Sequence, residues 1–494
     1  MQERLTTRSI FYSWRTVLLI ALFFGIRIIS FYTSEQPYIQ GFLVFCVMML
    51  LGLTFFKSPS TAWGLIMMEL FLGGSGHMLE FFGLSLRTVM ILVFLFLWII
   101  YSLTTRESEL KVFFTHNLYL VLVPMALFIV FSFFVGMAHG HAVRNIIQDA
   151  IPFVFFLLFL PAYYLFNNDK TKELFIRLIG VFIISSALFS LYTFTLFSTG
   201  LSKLHGQYYT WFRDVAMGKI TEVTPFFYRV VTPEHLLIPL IVLIICSLLM
   251  KNEKHHNMWR FLFIMCSVVL MLNFSRAYLL GIAVGFLFLL YKHTFKRWII
   301  VSVWNATIMV LIFMSINILF SFGKSLGLEI VGIRLGSFVN PTMEVSTNTR
   351  IALLEPIFNI IEDHPFIGNG IGSSFSYLNP YTNTTLITRN YDWGYLEMWA
   401  ELGILGAIWF IILIAVLIFE LIKKIREVSD FHDLYVGLLA GIIAILIMNV
   451  TTPVLFHVLG IFYLAFVMAF ISKPINIFDE VVTVLYRIFN KLKT

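Results

Sequence analysis

Apolar stretches long enough to cross a bilayer recur along this chain from one end to the other. They lie at 16–33, 38–56, 61–75, 87–104, 117–138, 146–167, 173–196, 233–250, 258–273, 275–291, 298–320, 398–422, 434–450 and 454–471, about fourteen in all, with the third the shortest. A span of the hydrocarbon takes about 17–25 residues as a helix. Lipid offers the backbone no hydrogen-bonding partner, so helices are the expected form, and the alternating pattern of a lipid-spanning barrel is absent. Composition agrees. Charged residues make up 12% of the chain, about half the usual soluble share of roughly 25%, and the mean hydropathy is +0.90. Fifty-four Phe and twenty Met exceed what one soluble core could bury. The expectation is an all-α polytopic membrane protein, a single transmembrane domain over 1–473.

The net charge of +7 is distributed as a topology signal, not as a nucleic-acid surface. With the N-terminus inside, Lys57, Arg106/Lys111, Lys170/Lys172, Lys251/Lys254/Arg260, Lys292/Lys296/Arg297 and Lys423/Lys424/Arg426 all fall in cytoplasmic connections. The tail adds Lys473, Arg487, Lys491 and Lys493, so both termini are expected to be cytoplasmic. Residues 474–494 carry an apolar stripe (Ile475, Phe478, Val482, Leu485) opposite charged positions, the pattern of an amphipathic helix lying in the interface. The first apolar run lacks a small-residue cleavage site and reads as a retained helix. Cys46, Cys246 and Cys266 lie inside spans and read as small buried hydrophobes.

This orientation leaves two long connections outside, 197–232 and 321–397, and long loops in compact bundles are usually functional or disordered. The second predicts a helix over 349–362, with Ile351, Leu354, Ile357, Phe358 and Ile361 on one face, Ser346, Thr347 and Asn348 as caps and Pro365 as the stop. A glycine-rich stretch follows, Gly368, Gly370 and Gly372, whose bland reading is a flexible turn. No Lys-Ser/Thr follows it, which argues against a nucleotide loop.

Ionisable groups at membrane depth are functional candidates by default. Arg276 stands between two nearly fused spans; it either bonds helix-end carbonyls or grips an anion such as a phosphate. Arg350 is expected to open the loop helix, where the dipole disfavours a cation unless an anion binds between them. Arg229 and Arg389 are further outer arginines. Asp392, Glu397 and Glu401 enter a span after Arg389, as ion-pair partners or as a general base. The outer aromatics Tyr208, Tyr209, Trp211, Tyr377, Tyr381, Tyr391 and Trp393 form either a belt at the interface or stacking platforms for sugars. No histidine has a helical partner at ligand spacing, so no metal is expected.

The segment from Arg350 through Gly406 resembles the O-antigen ligase/polymerase family of bacterial membrane enzymes. The resemblance rests on Arg350, His364-Pro365, Gly368/Gly370/Gly372, Tyr395-Leu396, Glu401, Gly403 and Gly406, with the Ser275-Arg276 turn, and covers about 260–420. Ligases of the family carry His-Asn just before the Tyr-Leu pair; Asp392-Trp393 stands there instead, which resembles the polymerase branch. The resemblance implies a fold similar to the C-type (GT-C) membrane glycosyltransferases and a bacterial inner-membrane location with the active site on the periplasmic or extracellular face. It implies an undecaprenyl-diphosphate-linked oligosaccharide as substrate, transfer without metal or cofactor, and work alongside a flippase and a chain-length regulator. On that chemistry Arg276 and Arg350, with Arg229 as a third candidate, are expected to hold the diphosphate, and Asp392, with Glu397 in reserve, to be the base. Arg389, Glu401, Tyr395 and His364 are supporting or glycan-binding positions. The alternatives are a ligase that passes the glycan to lipid A or another acceptor, and a lipid-linked oligosaccharide flippase. The flippase should show internal repeats and broken helices.

Overall fold

The computed structural model describes residues 13–81, 83–105, 118–165, 169–250, 257–339, 345–427 and 432–472. The tail helix expected over 474–494, and several of the basic residues used for orientation, lie outside them. The expected spans overlap helices, the sixth divided between two and the third only 14 residues long. The first half holds α1 (Trp14–Thr33), α2 (Pro37–Lys57), α3 (Pro59–Leu72), α4 (Leu86–Thr105), α5 (Tyr119–Ala138), α6 (Val143–Val154), α7 (Phe159–Leu165) and α8 (Asp169–Ser198). Then come α9 (Gln207–Asp214), α10 (Leu237–Leu249), α11 (Asn257–Asn273), α12 (Arg276–Phe288) and α13 (Phe295–Phe320). The second long connection folds into α14 (Leu328–Val339), α15 (Val345–Ala352) and α16 (Leu354–Asp363), before α17 (Gly394–Glu427), α18 (His432–Met448) and α19 (Val458–Ser472). Among the described residues, eight stretches are long and apolar enough to cross a membrane, and five more apolar helices run 10–17 residues. The chain is a mostly helical, multi-pass membrane protein.

Small residues set the inner packing. On α12, Gly281 and Gly285 stand one turn apart and face Ala444 and Ala440 of α18. A Cβ added at Gly285 would come within 2.9 Å of the Ala440 carbonyl, and one at Gly281 within 3.1 Å of that of Ala444. This spacing lets two backbones approach where lipid supplies no hydrophobic drive of its own. α18 is buried along most of its length, whereas α2, α5 and α13 turn Phe42, Phe56, Phe134 and Leu319 outward, the surface that acyl chains cover.

Two features depart from an all-helical reading. The connections carry three antiparallel ribbons, β1 (Glu80–Phe81) with β2 (Leu84–Ser85), β3 (Lys219–Thr224) with β4 (Phe227–Val231), and β5 (Phe375–Leu378) with β6 (Thr385–Thr388). In the second ribbon Ile220 faces Val230, both buried, while the register sets Thr221 opposite Arg229. Two of the most buried ion pairs among the described residues lie in the interior. Arg27 Nη2 lies 2.9 Å from Glu234 Oε1, and Arg87 Nε lies 2.7 Å from Glu69 Oε2, all four side chains nearly inaccessible. Backbone carbonyls complete them, Leu72 for Arg27 at 2.9 Å and Gly74 for Arg87 at 2.7 Å.

Candidate active site

The glycine-rich stretch is a brace for a broken helix. α17 is interrupted at Gly403, where φ is 66° and ψ 178°. Residues 365–370 take over the missing turn. Asn369 and Gly370 donate to the carbonyls of Ala400 and Glu401 at 2.8 and 3.1 Å, and Ile404 and Leu405 donate to those of Pro365 and Phe366 at 3.0 and 3.2 Å. Gly370 and Gly372 both have φ of +86°, and a Cβ at Gly372 would come within 2.6 Å of the Ile146 backbone nitrogen. The flexible-turn reading is therefore corrected: these glycines permit left-handed backbone and close approach at once. A broken span is what the flippase reading expects, but this break is filled by backbone hydrogen bonds.

Several motif side chains serve the same brace. Glu401 is buried and its Oε1 accepts from Gly372 N at 3.2 Å. The His364 ring stacks on His139 with centroids 4.5 Å apart, and His139 Nδ1 lies 2.9 Å from the Asn369 carbonyl. Tyr395 donates its hydroxyl to the Leu446 carbonyl at 2.8 Å, pinning the start of α17 to the end of α18.

Just before α17 the chain forms an acidic centre. Arg389 donates to Asn145 Oδ1 at 3.1 Å and Gln148 Oε1 at 2.7 Å, and pairs with Asp149. These three partners lie on one face of α6, at positions i, i+3 and i+4. Asp392 follows, partly exposed and in the left-handed region with φ of 55°, which Asp tolerates better than most residues. Among the described residues, Glu397 Oε2 is buried with no hydrogen-bond partner. Tyr391 is almost wholly buried and shares a hydrogen bond with Ser373. Burial, and then the nearby Glu401 carboxylate, push its phenol above the ordinary range. It therefore cannot be a sugar platform. Trp211 is also buried, and Tyr208 packs on it at 5.6 Å, so both serve the core; Tyr381 is the most exposed of the aromatics considered.

A chain of hydrogen bonds connects the segments of three arginines to Trp393. Arg229, on β4, donates Nε to the Asn273 carbonyl at 2.6 Å. Arg276 begins α12 after Phe274, which holds φ of 44°, and its Nη2 donates to Thr347 Oγ1 at 3.1 Å. Thr347 and Arg350 are three apart on α15, hence on one face. The carbonyl of Arg350 in turn accepts the indole N–H of Trp393, the neighbour of Asp392, at 3.0 Å. Arg350 Nε is buried without a partner.

The loop helix differs from expectation. Leu353 divides it, so Ser346, Thr347 and Asn348 lie within α15 and Arg350 sits in its last turn, not at an N-terminus. A cation is favoured there by the dipole, so the argument from N-terminal amides fails and the unpartnered Nε takes its place. The break also shifts the buried face to Leu353, Ile357 and Ile361, leaving Ile351 and Phe358 exposed.

Asp149, Gln148 and Asn145 are the site neighbours that sequence reasoning missed. Their signal was a carboxylate inside an otherwise apolar run. Among the described residues, no group of three or more His, Cys, Asp or Glu is arranged to hold a metal ion.

Two comparisons with known proteins bear on this arrangement. Residues 261–411 match the family described as O-antigen ligase. An O-antigen polymerase of Shigella flexneri is similar, 28% identical over 138 residues, which cover 27% of this chain and 34% of that protein. The match thus spans about a third of the relative's length.

Proposed function

With the O-antigen ligase/polymerase family supported over 261–411, we propose that this chain is a glycosyltransferase that polymerises lipid-linked oligosaccharide repeat units into a surface polysaccharide. The observation that carries the reading is the strip Arg229, Arg276, Arg350 ending beside Asp392, joined through Asn273, Thr347 and Trp393. On this reading the strip supplies permanent positive charge and Asp392, partly exposed, the carboxylate that this chemistry requires.

In the proposed reaction a hydroxyl of the acceptor glycan attacks the anomeric carbon of the donor. The bond from that carbon to the phosphate oxygen breaks, and undecaprenyl diphosphate leaves with both electrons. Asp392 takes the proton of the attacking hydroxyl, with Glu397 as the alternative base. Arg276 and Arg350, with Arg229, stabilise the charge that grows on the diphosphate. In a site sheltered from water one such donor is worth about 10²–10³-fold in rate. Metal is not required, because the guanidinium groups supply the positive charge. The preference for polymerase over ligase rests on Asp392-Trp393 before the Tyr395-Leu396 pair. The placement in a bacterial inner membrane, with termini cytoplasmic and the site on the opposite face, rests on the family and on the distribution of basic residues. Similarity to the GT-C fold, the lateral entry of the polyprenyl chain, and partnership with a flippase and a chain-length regulator complete the reading.

Purified protein in lipid, mixed with the polyprenyl-diphosphate repeat unit and EDTA, tests it. A ladder of longer glycans, lost in Arg276→Ala and Asp392→Asn, is expected. Single transfer to an added lipid A acceptor without a ladder would make it a ligase. Movement of intact lipid across sealed vesicles, with no new glycosidic bond, would make it a flippase.

A further inference from the structure

Arg229 and Arg276 stand on different elements, yet one residue connects them. Asn273 ends α11, where carbonyls lack helical partners, and its carbonyl receives Arg229 Nε at 2.6 Å. Three residues later Arg276 starts α12, across a turn in which Phe274 holds a left-handed conformation unusual for a bulky side chain. Such a conformation is strained and persists only where the surroundings over-determine it. Phe274 is held on one side by stacking on Phe313, with centroids 5.2 Å apart. The other hold comes from the Asn273 side chain, whose Nδ2 donates to His235 Nδ1 at 3.1 Å.

The wiring of His235 is specific. Its Nδ1 also receives the Thr232 backbone N–H at 3.3 Å, so two donors converge on that nitrogen. The ring proton therefore sits on Nε2 and is donated to Ser190 Oγ at 3.1 Å. His235, Asn273, Ser190 and Thr232 are all at most 1% exposed, so no water competes from the surface. Nothing in this array reaches the outer face itself. Its hydrogen-bonded link to the arginine strip is Asn273, whose carbonyl receives Arg229.

We propose that His235 is a positioning residue for the arginines, acting as a neutral hydrogen-bond acceptor that holds Asn273 and the turn beyond it. This rests on the reading that Arg229 and Arg276 hold the diphosphate. Loss of the acceptor frees the Asn273 side chain and lets the strained turn relax, moving Arg276 relative to Arg229. A misplacement of about 1 Å is enough to cost about 10²-fold in rate.

The test compares His235→Ala, His235→Asn and Arg276→Ala in the polymerisation assay, with inorganic diphosphate as an inhibitor that reports on the arginines directly. Asn can set Oδ1 where Nδ1 was, restoring the acceptor while losing the ring and the Ser190 contact. His235→Ala is expected to lower turnover at least tenfold and to raise the inhibition constant for diphosphate by a similar factor, and His235→Asn to recover most of both. Unchanged diphosphate inhibition in His235→Ala, or His235→Asn as impaired as Ala, overturns the proposal. If His235→Ala cannot be purified folded, His235→Asn against wild type decides: near-wild-type diphosphate inhibition supports it, and a tenfold loss overturns it. Arg276→Ala with wild-type turnover and inhibition would remove the underlying reading instead.

Discussion

The indole N–H of Trp393 donates to the backbone carbonyl of Arg350 at 3.0 Å. One hydrogen bond thus ties the last turn of α15, which carries an arginine of the proposed diphosphate site, to the residue beside the proposed base. Trp393→Phe keeps most of the ring and removes the donor. It should cost about 1 kcal/mol of stability. Turnover should fall by about tenfold, because α15 is no longer fixed against Asp392. Turnover and the thermal midpoint in detergent check this together: an unchanged rate would mean that α15 is held by other contacts.

Asp392 allows a clean separation of chemistry from backbone strain. Its φ of 55° suits Asn and Gly as well as Asp, whereas Ala there costs about 1–2 kcal/mol. Asp392→Asn should therefore keep wild-type stability and lose about 10²–10⁴-fold in turnover, the range of a general base. Asp392→Gly should be as inactive as Asn. If Asp392→Asn retains full turnover while Glu397→Gln is dead, the base is Glu397.

Gly370 and Gly372 make the prediction that the brace is rigid. A methyl group at Gly372 meets the Ile146 backbone, and one at Gly370 meets the backbone of Gly136, each at a position that already needs left-handed φ. Either Ala substitution should destabilise the protein by about 1–3 kcal/mol. Alanine at Gly332, which has open space around its Cβ position, should be nearly neutral or slightly stabilising in α14. Thermal melts of the three variants in one detergent distinguish a brace from a loose turn.

How much of this was legible in the chain follows from what each interaction depends on. The helices are local: apolar runs at 87–104 or 298–320 became α4 and α13 within a few residues. The motif residues Arg350, Glu401 and Gly403 were visible because their order along the chain carries the pattern. The break in α17 was not, since residues 398–422 read as one apolar run and only the arrival of residues 365–370 shows where the helix opens. Arg389 was flagged but its partner Asp149 was not, because 240 residues separate them. The loop helix was misphased for the opposite reason: a single residue, Leu353, breaks a pattern that looks continuous. Arg27, Glu69 and Glu234 do carry a legible signal, as charges inside or beside apolar runs.

The Arg27–Glu234 pair yields the last prediction. Both groups are nearly inaccessible, and the guanidinium also lies over the Phe23 ring at 3.4 Å. Glu234 directly precedes His235, so the pair anchors the segment that holds Asn273. Taking two charges out of water is costly, and their attraction only roughly offsets it. Arg27→Met leaves Glu234 buried and uncompensated, and should destabilise the protein by about 3–5 kcal/mol. Glu234→Gln should do the same to Arg27. The double variant removes both charges and should be no less stable than either single variant, so the two losses should fall short of additivity by about 3 kcal/mol or more. Unfolding midpoints of the four proteins in one lipid or detergent give that cycle directly. Additive losses would mean that the two charges do not stabilise each other, the carbonyls of Phe23 and Leu72 then being what holds Arg27.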